Sequence, residues 1–322
     1  MNLATVETIV DIFPHPDPEV ERLEIAKVLE YTCVVAKGLL LPGDKVILIQ
    51  PDSVLPNTEW AAIYSKYGKR VRAQKICGFY SFGIVESMNL LEDTDYPVGT
   101  DVAELLSIVK YDALIPDEGG KPGLPFAIAK TDETNWQNVR NLNDYYGQLV
   151  DVTLKVDGQS CSFFYKDGEF GILSRNQQFD PSVINNYTIH VGQLNLYSKL
   201  ASYCETHSIN ICLRGESYGQ GIQNNKNNPH SKLHKSIAFY NVWLIDEMRY
   251  AYKGDKHYFL DVCRELELPT VDILEENVVL NCELIVKYSE VEKINEQSFE
   301  GVVIKGGDFS FKVINKPYDS KK

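Results

Sequence analysis

Between Val150 and Tyr165 the chain carries the word Thr153-Leu154-Lys155-Val156-Asp157-Gly158-Gln159-Ser160, and further short words follow it in a fixed order. These are Ser174-Arg175-Asn176, Arg214-Gly215-Glu216, Phe239-Tyr240-Asn241-Val242-Trp243, Glu300-Gly301-Val302-Val303-Ile304-Lys305 and Phe311-Lys312-Val313. Taken alone, Lys-x-Asp-Gly is weak, since these residues are common in hairpins and a type I′ turn flanked by charges is the bland reading. The apolar residues around the words limit what can be built. Period-two patterning makes Val150 to Tyr165 a hairpin, Ile237 to Ile245 a buried strand and Gly301 to Lys312 a second hairpin. Val191 to Thr206 reads as an amphipathic helix. Residues 126–322 are therefore expected to form a mixed α+β domain.

The first 105 residues have a different texture. Leu23-Glu24-Ile25-Ala26-Lys27-Val28 alternates, Tyr31 to Ala36 is a β-branched run, Leu41-Pro42-Gly43-Asp44 is a turn and Val46 to Ile49 a buried strand. Arg70-Val71-Arg72-Ala73 alternates again before Gly78. Short strands at this spacing predict a small all-β sandwich or barrel over residues 1–105. The turn formers of Ile115-Pro116-Asp117-Glu118-Gly119-Gly120-Lys121-Pro122-Gly123 place a linker over 106–125 and the second domain over 126–322.

Bulk properties exclude some classes. Of 322 residues, 44% are hydrophobic and 24% charged, as in a soluble globular protein. No stretch has the apolar length of a membrane span, and Met1-Asn2-Leu3-Ala4-Thr5-Val6-Glu7 lacks a signal peptide's basic and apolar regions, so a reducing, cytoplasmic location is expected. The seven cysteines include no CxxC pair and read as free thiols. His230 and His234 have helical spacing, but nothing near them completes a metal-ligand set. The net charge of −13 is unfavourable for binding phosphates, yet electrostatic footprints are local. Lys66, Lys69, Arg70, Arg72 and Lys75 fall in one run without an acid. That run is either a phosphate-gripping stripe or a solvated strand edge, and the two readings stay open.

The ordered words of residues 126–322 resemble the covalent nucleotidyltransferase superfamily of DNA ligases, RNA ligases and mRNA capping enzymes. His15-Pro16-Asp17-Pro18, Leu23-Glu24-Ile25-Ala26 and Gly43-Asp44-Lys45-Val46 look like the OB-type modules of tRNA-binding domains and of certain RNA ligases. The resemblance implies the DNA/RNA ligase fold, with ATP-grasp-like antiparallel sheets and helices, preceded by a small OB-type barrel. Ligases of DNA and capping enzymes usually carry the OB module after the catalytic domain. Here Lys312 lies ten residues from the end of the sequence, so that order is not expected. The arrangement is similar to RNA ligases of the Deinococcus and Naegleria type, which join 3′-OH to 5′-phosphate at nicks in duplexes.

By that resemblance Lys155 attacks the α-phosphate of ATP and becomes lysyl-AMP. An amine attacks phosphorus only when neutral, and a free lysine titrates near ~10.4, so the site must supply desolvation or neighbouring cations. Asp157, Glu216 and Glu300 supply the hard oxygens that Mg²⁺ (or Mn²⁺) prefers, largely through water. The counterpart of Glu216 also reaches the AMP ribose, and Gly158 belongs to the nucleotide-binding word. Arg175 suits a ribose or 3′-OH-strand contact, its alternative being a surface ion pair. Lys305 and Lys312 would hold the α-phosphate as charge builds. If Gly301 to Lys305 is a regular strand, however, Lys305 faces away from Glu300, Val302 and Ile304. Trp243 is the choice for the adenine-stacking ring, with Phe239 on the same face at period two, and core packing is the alternative for both. Lys130-Thr131-Asp132-Glu133 either lines the same pocket or caps a helix.

Two departures stand out. Thr153 replaces the acid that often precedes the nucleophile by two residues, and Ile314 replaces the second lysine of the last word, with Lys316 as a stand-in. The implied partner is a nicked RNA duplex or RNA–DNA hybrid, with no membrane and no obligate protein partner. A GTP-dependent capping enzyme and a non-catalytic RNA- or tRNA-binding protein are the rival readings.

Overall fold

Most period-two segments become strand in both halves of the molecule, a computed structural model describing residues 2–111, 119–223 and 225–322. Residues 112–118 of the expected linker lie outside the described residues. The chain forms two compact units, one of residues 1–114 with 136–140 and 316–322, the other of 115–135 and 141–315.

In the first unit, Ala4–Pro14 (β1), Leu23–Val28 (β2), Tyr31–Ala36 (β3), Lys45–Ile49 (β4) and Ile84–Ser87 (β8) form an antiparallel sheet in the order β3-β2-β1-β4-β8. β1 serves two partners. Ala4 to Thr8 pair with β4, and from Ile9 on it pairs with β2, after a register shift between Ile9 and Asp11. Between β4 and β8 lie Ser53–Val54 (β5), the short helix Glu59–Ala62 (α1) and the hairpin Ala73–Ile76 (β6) with Phe79–Phe82 (β7), while β5 pairs with Val109–Lys110 (β9). Ala4, Val6, Ile47, Ile49, Leu55 and Val71 belong to its core. The strand expected at 70–73 begins only at Ala73, and Arg70 makes an isolated bridge to Val54. Arg70 is turned inward, its Nε 3.0 Å from Asp52 Oδ1 and its guanidinium 4.1 Å from the Tyr111 ring centre. The C-terminal helix Lys316–Asp319 (α6) adds a carboxylate that accepts the Ala73 N–H at 2.7 Å.

The second unit has two antiparallel sheets. Seven strands run in the order Lys121–Pro122 (β10), Gln177–Phe179 (β14), Glu169–Leu173 (β13), Gln159–Lys166 (β12), Ile211–Tyr218 (β15), Ser236–Leu244 (β16), Arg249–Tyr250 (β17). Four run as Ile273–Val279 (β18), Leu149–Leu154 (β11), Gly301–Lys305 (β19), Ser310–Ile314 (β20). Phe163, Leu213, Phe239 and Val242 of the larger sheet pack with Leu196 and Leu200 of Leu196–His207 (α3) and with Phe259 and Val262 of Phe259–Glu265 (α4). Cys282–Glu290 (α5), capped by Asn281, packs on β19 and β20. The helix expected over 191–206 is two helices, Ile189–Leu194 (α2) and α3, because Asn195 takes a left-handed φ of +53° between them.

The expected hairpin Val150 to Tyr165 is corrected. β11 pairs with β18 and β19, whereas β12 pairs with β13 and β15, so residues 155–158 cross from one sheet to the other. Backbone bonds explain the commitment of each end: Leu154 N–H donates to Asp272 O and Lys155 N–H to Gly301 O, which fastens the end of β11 to the smaller sheet. The class is mixed α/β and mostly strand, in line with the expected α+β domain. All seven cysteines are free, five of them buried. Among the described residues no helix is long and apolar enough to cross a membrane.

Candidate active site

The crossover delivers Lys155 to the second unit's polar centre. Its Nζ lies 2.5 Å from Glu300 Oε2, with the two side chains 26% and 13% exposed. Glu300 sits just before β19. At Gly301 the backbone takes φ +154°, and a Cβ there would come within 2.2 Å of Val313 O, so only glycine lets the chain turn into the strand. This resolves the face problem at Lys305. Asp151 pairs with Lys305, Thr153 with Val303 and Val303 with Lys312. Cross-strand partners share a face, so Lys305 and Lys312 stand on the face of Asp151 and Thr153 that period two extends to Lys155. The expected grouping of Glu300 with Val302 and Ile304 does not form, and no bulge is needed.

Gly158 is required for a reason other than a turn. Its φ is not left-handed, but a Cβ would sit 2.3 Å from Ser217 O and 2.9 Å from Glu216 Cγ, because β15 presses against the crossover. The neighbour so brought in is Glu216. Burial pushes its carboxyl up to about 8, the Lys155 charge pulls it back, and Glu300 and Asp157 push it further up. Its folded value thus exceeds the ordinary 4.5. The stabilising contribution is complete at acidic pH below that ordinary value and disappears as pH rises through about 8. The ligand-free protein should therefore lose stability across this window. In thermal unfolding, Glu216→Gln should flatten the slope and stabilise the alkaline form by ~1–2 kcal/mol.

The same face of the larger sheet is polar near Glu216. Ser160 pairs with Glu216 and Ser162 with Arg214, and Thr131 Oγ1 is 2.8 Å from Ser160 Oγ. In β16 the register jumps from Arg214–Asn241 to Gly215–Phe239, leaving Tyr240 as a bulge. The bulge overturns the period-two expectation. Phe239 is fully buried in the core beneath α3 and α4. Trp243 packs with Ile128, Phe164, Leu173 and Cys212, edge-on to Tyr250 at 4.9 Å. Tyr240 instead lies by Glu216 and Ser160, its phenol pushed well above its ordinary range by burial first and by Glu216 after. Sequence periodicity missed this ring.

The Lys130-Thr131-Asp132-Glu133 segment is laid across the site rather than capping a helix. Arg214 donates to Ala129 O, Tyr250 OH to Lys130 O at 3.2 Å, Arg175 Nη2 to Asp132 Oδ2 at 2.8 Å and Ser310 Oγ to Glu133 Oε2 at 2.9 Å. Lys312 N–H donates to Thr134 O at 2.8 Å. Arg175 is thus ion-paired within the site. Asn228, unsuspected from sequence, is buried and donates to Asp157 O at 2.8 Å, and Asp157 itself is buried. Beyond Asn228, His230 belongs to no helix, and burial lowers its pKa against the pull of Asp272, Asp157 and Glu300.

Lys305 is 2% exposed, with Nζ 5.2 Å from the Phe259 ring centre. Burial lowers its pKa while Glu133 and Asp151 pull it upward. Asp151 is itself held by Lys253 Nζ at 2.5 Å and Asn277 N–H at 3.1 Å. Thr153, at the position where an acid was the pattern, spends its hydroxyl on Val303 O at 3.2 Å. Lys316, the stand-in for Ile314, groups with the first unit. Among the described residues no three His, Cys, Asp or Glu side chains form a direct metal-ligand cluster. A crowd of carboxylates around a single lysine, with Glu216 driven toward neutrality, nonetheless fits a divalent cation held largely through water.

The cationic run lies in the first unit. Lys66, Lys69 and Lys75 are exposed, Arg72 is half-buried and Arg70 is engaged by Asp52.

An RNA ligase family model matches residues 148–314, just over half the chain and all the words from Lys155 to Lys312, and the chain belongs to the RNA ligase family. Among solved structures it is similar to RNA ligase from Naegleria gruberi. A mutant of that enzyme with ATP and Mn is 26% identical with a TM-score of 0.86, covering 99% of this chain and 98% of that one. A second mutant, with AMP and Mn, gives 25% and 0.86 at the same coverage, and the complex with PPi gives 26% and 0.85. No curated protein matches the chain.

Proposed function

We propose that this chain is an ATP-dependent RNA ligase that seals 3′-OH/5′-phosphate nicks through a lysyl-AMP formed at Lys155. The observation that carries the reading is the crossover lysine held 2.5 Å from Glu300, beside a half-buried Glu216 whose carboxyl is pushed up, in a chain whose relative binds ATP, AMP and PPi with or without Mn.

Lys155 Nζ attacks the α-phosphorus, the bond to the pyrophosphate oxygen breaks, and the amine gives up its proton as the N–P bond forms. A 5′-phosphate oxygen of the nick then attacks the same phosphorus and frees Lys155. Attack of the 3′-OH on that activated 5′-phosphate closes the strand and releases AMP. Asp157, Glu216 and Glu300 would hold a divalent cation through water, which would supply positive charge favouring the neutral amine and polarising the phosphate. Lys305, dehydrated on Phe259, and Lys312 on the next strand are aimed at the charge gathering on the phosphate. Arg175 is placed for the ribose or the 3′-OH strand. Tyr240 is proposed as the adenine-stacking ring in place of Trp243, which is buried against Tyr250. Tyr240→Leu should raise KM for ATP about tenfold with a smaller effect on kcat.

The five-stranded antiparallel sheet of the first unit, with its long first strand shared between two partners, supports an OB-type barrel over residues 1–105, joined by residues 106–125 to a catalytic domain over 126–322. Lys66, Lys69, Arg72 and Lys75 then contact nucleic-acid phosphates, with Arg70 buttressing their loop from within. The test is nick sealing on matched duplexes with RNA or DNA at the 3′-OH end. Sealing confined to RNA 3′-OH ends supports the reading, and equal sealing of both overturns its RNA specificity. Labelling of the protein by GTP and not ATP removes the ligase reading altogether.

A further inference from the structure

The first unit bears an open cavity of about 520 Å³, within the range of ~300–1,000 Å³ usual for small-ligand sites. Its walls are largely apolar, with Val34, Leu55, Val71 and Ile84 among them, and two tyrosines, Tyr64 and Tyr67, contribute to the lining. Tyr64 is fixed: its hydroxyl donates to Glu86, and burial keeps the phenol neutral by pushing its pKa far above the ordinary value. Arg72 also lines the cavity. Its Nε is buried without a hydrogen-bond partner among the described residues, an expensive state for a guanidinium. Arg70, two residues earlier, shows the contrast, being satisfied by Asp52 and Tyr111.

We propose that this cavity receives the base of one unpaired nucleotide of an RNA strand, stacked among its tyrosines, while Arg72 takes the adjoining phosphate. A flat ring next to an anion is what an apolar, tyrosine-bearing cleft with one unsatisfied arginine complements. The choice of a strand over a free nucleotide rests on the cations outside the walls. Lys66, Lys69 and Lys75 are exposed and do not line the cavity. Although Lys66 and Lys75 lie over the Tyr67 and Tyr80 rings, none of the three has a carboxylate partner among the described residues, so their charges are open to phosphates of neighbouring residues on a longer polyanion. The inference rests on the RNA-joining reading above only for the identity of that strand.

The test uses the full chain with two fluorescent probes, a short single-stranded RNA and a ribose-phosphate strand of equal length lacking bases. The base-bearing strand should bind about tenfold more tightly. Ala36→Trp, which blocks the cavity at an exposed wall position, and separately Arg72→Ala should each erase most of that difference, with Arg72→Lys restoring part of it. Adenylylation at Lys155 should proceed in Ala36→Trp, which reports intact protein, and an unchanged thermal unfolding midpoint reports it for the Arg72 variants. Equal binding of the two strands overturns the proposal, as it would for a cleft that accepts a protein segment instead. Survival of the difference in both variants overturns it too. Failure of the ligase reading is read separately, as loss of adenylylation in the unaltered protein.

Discussion

Lys155→Ala is expected to lower nick sealing by at least ~10⁴-fold, because it removes the amine proposed to carry AMP between ATP and the RNA end. Lys155→Arg should be equally inactive, since a guanidinium keeps its proton at working pH. The loss should be confined to the steps that need the amine. A nick supplied with its 5′ end already adenylylated calls only for attack by the 3′-OH, so both variants should still seal it at a rate within about tenfold of the unaltered protein. Gel assays on the two substrates check this. Parallel loss on both would mean that Lys155 is structural, acting through its ion pair with Glu300.

The second large effect is expected at Gly158. Alanine there would bring a Cβ 2.3 Å from a backbone oxygen of β15, and backbone cannot yield as a flexible side chain can. The crossover must move by roughly an ångström, carrying Lys155 away from Glu300 and Glu216. A displacement of that size costs about 10²-fold in a positioned reaction. Gly158→Ala should accordingly adenylylate at least ~100-fold more slowly in single turnover, with only a modest fall in thermal stability. A normal rate would show that β15 can give way.

What was legible in the sequence was that residues of separate short words come together. Lys155 and Glu300, at two strand ends, are brought together with Glu216 of β15, as their order within the family pattern implies. Strand existence was legible too, because alternation marks a half-buried surface directly. Pairing was not. Nothing in Lys155 to Gly158 tells a hairpin turn from a crossover, since the decision is made by distant carbonyls at Gly301 and Asp272 and by the close approach of Ser217. The shared face expected of Phe239 and Trp243 does not form because one extra residue at Tyr240 turns Phe239 to the opposite face, and a bulge leaves no mark in a period-two count. Asn228 was opaque for a related reason, and the choice between pocket lining and helix cap for the segment around Thr131 could not be made. Their contacts with Asp157 O and Ser160 Oγ link residues far apart in the chain through atoms that composition cannot register. The basic run looked uniform, yet Asp52 claims Arg70 while Arg72 is left half-buried with no hydrogen-bond partner on its Nε among the described residues.

The most direct measurement is the intact mass of the purified protein after incubation with ATP and Mg²⁺, followed by peptide mapping. A covalent gain of one AMP, lost under acid as a phosphoramidate should be and mapped to Lys155, is the predicted result. An unchanged mass, or AMP found on another residue, would contradict the account.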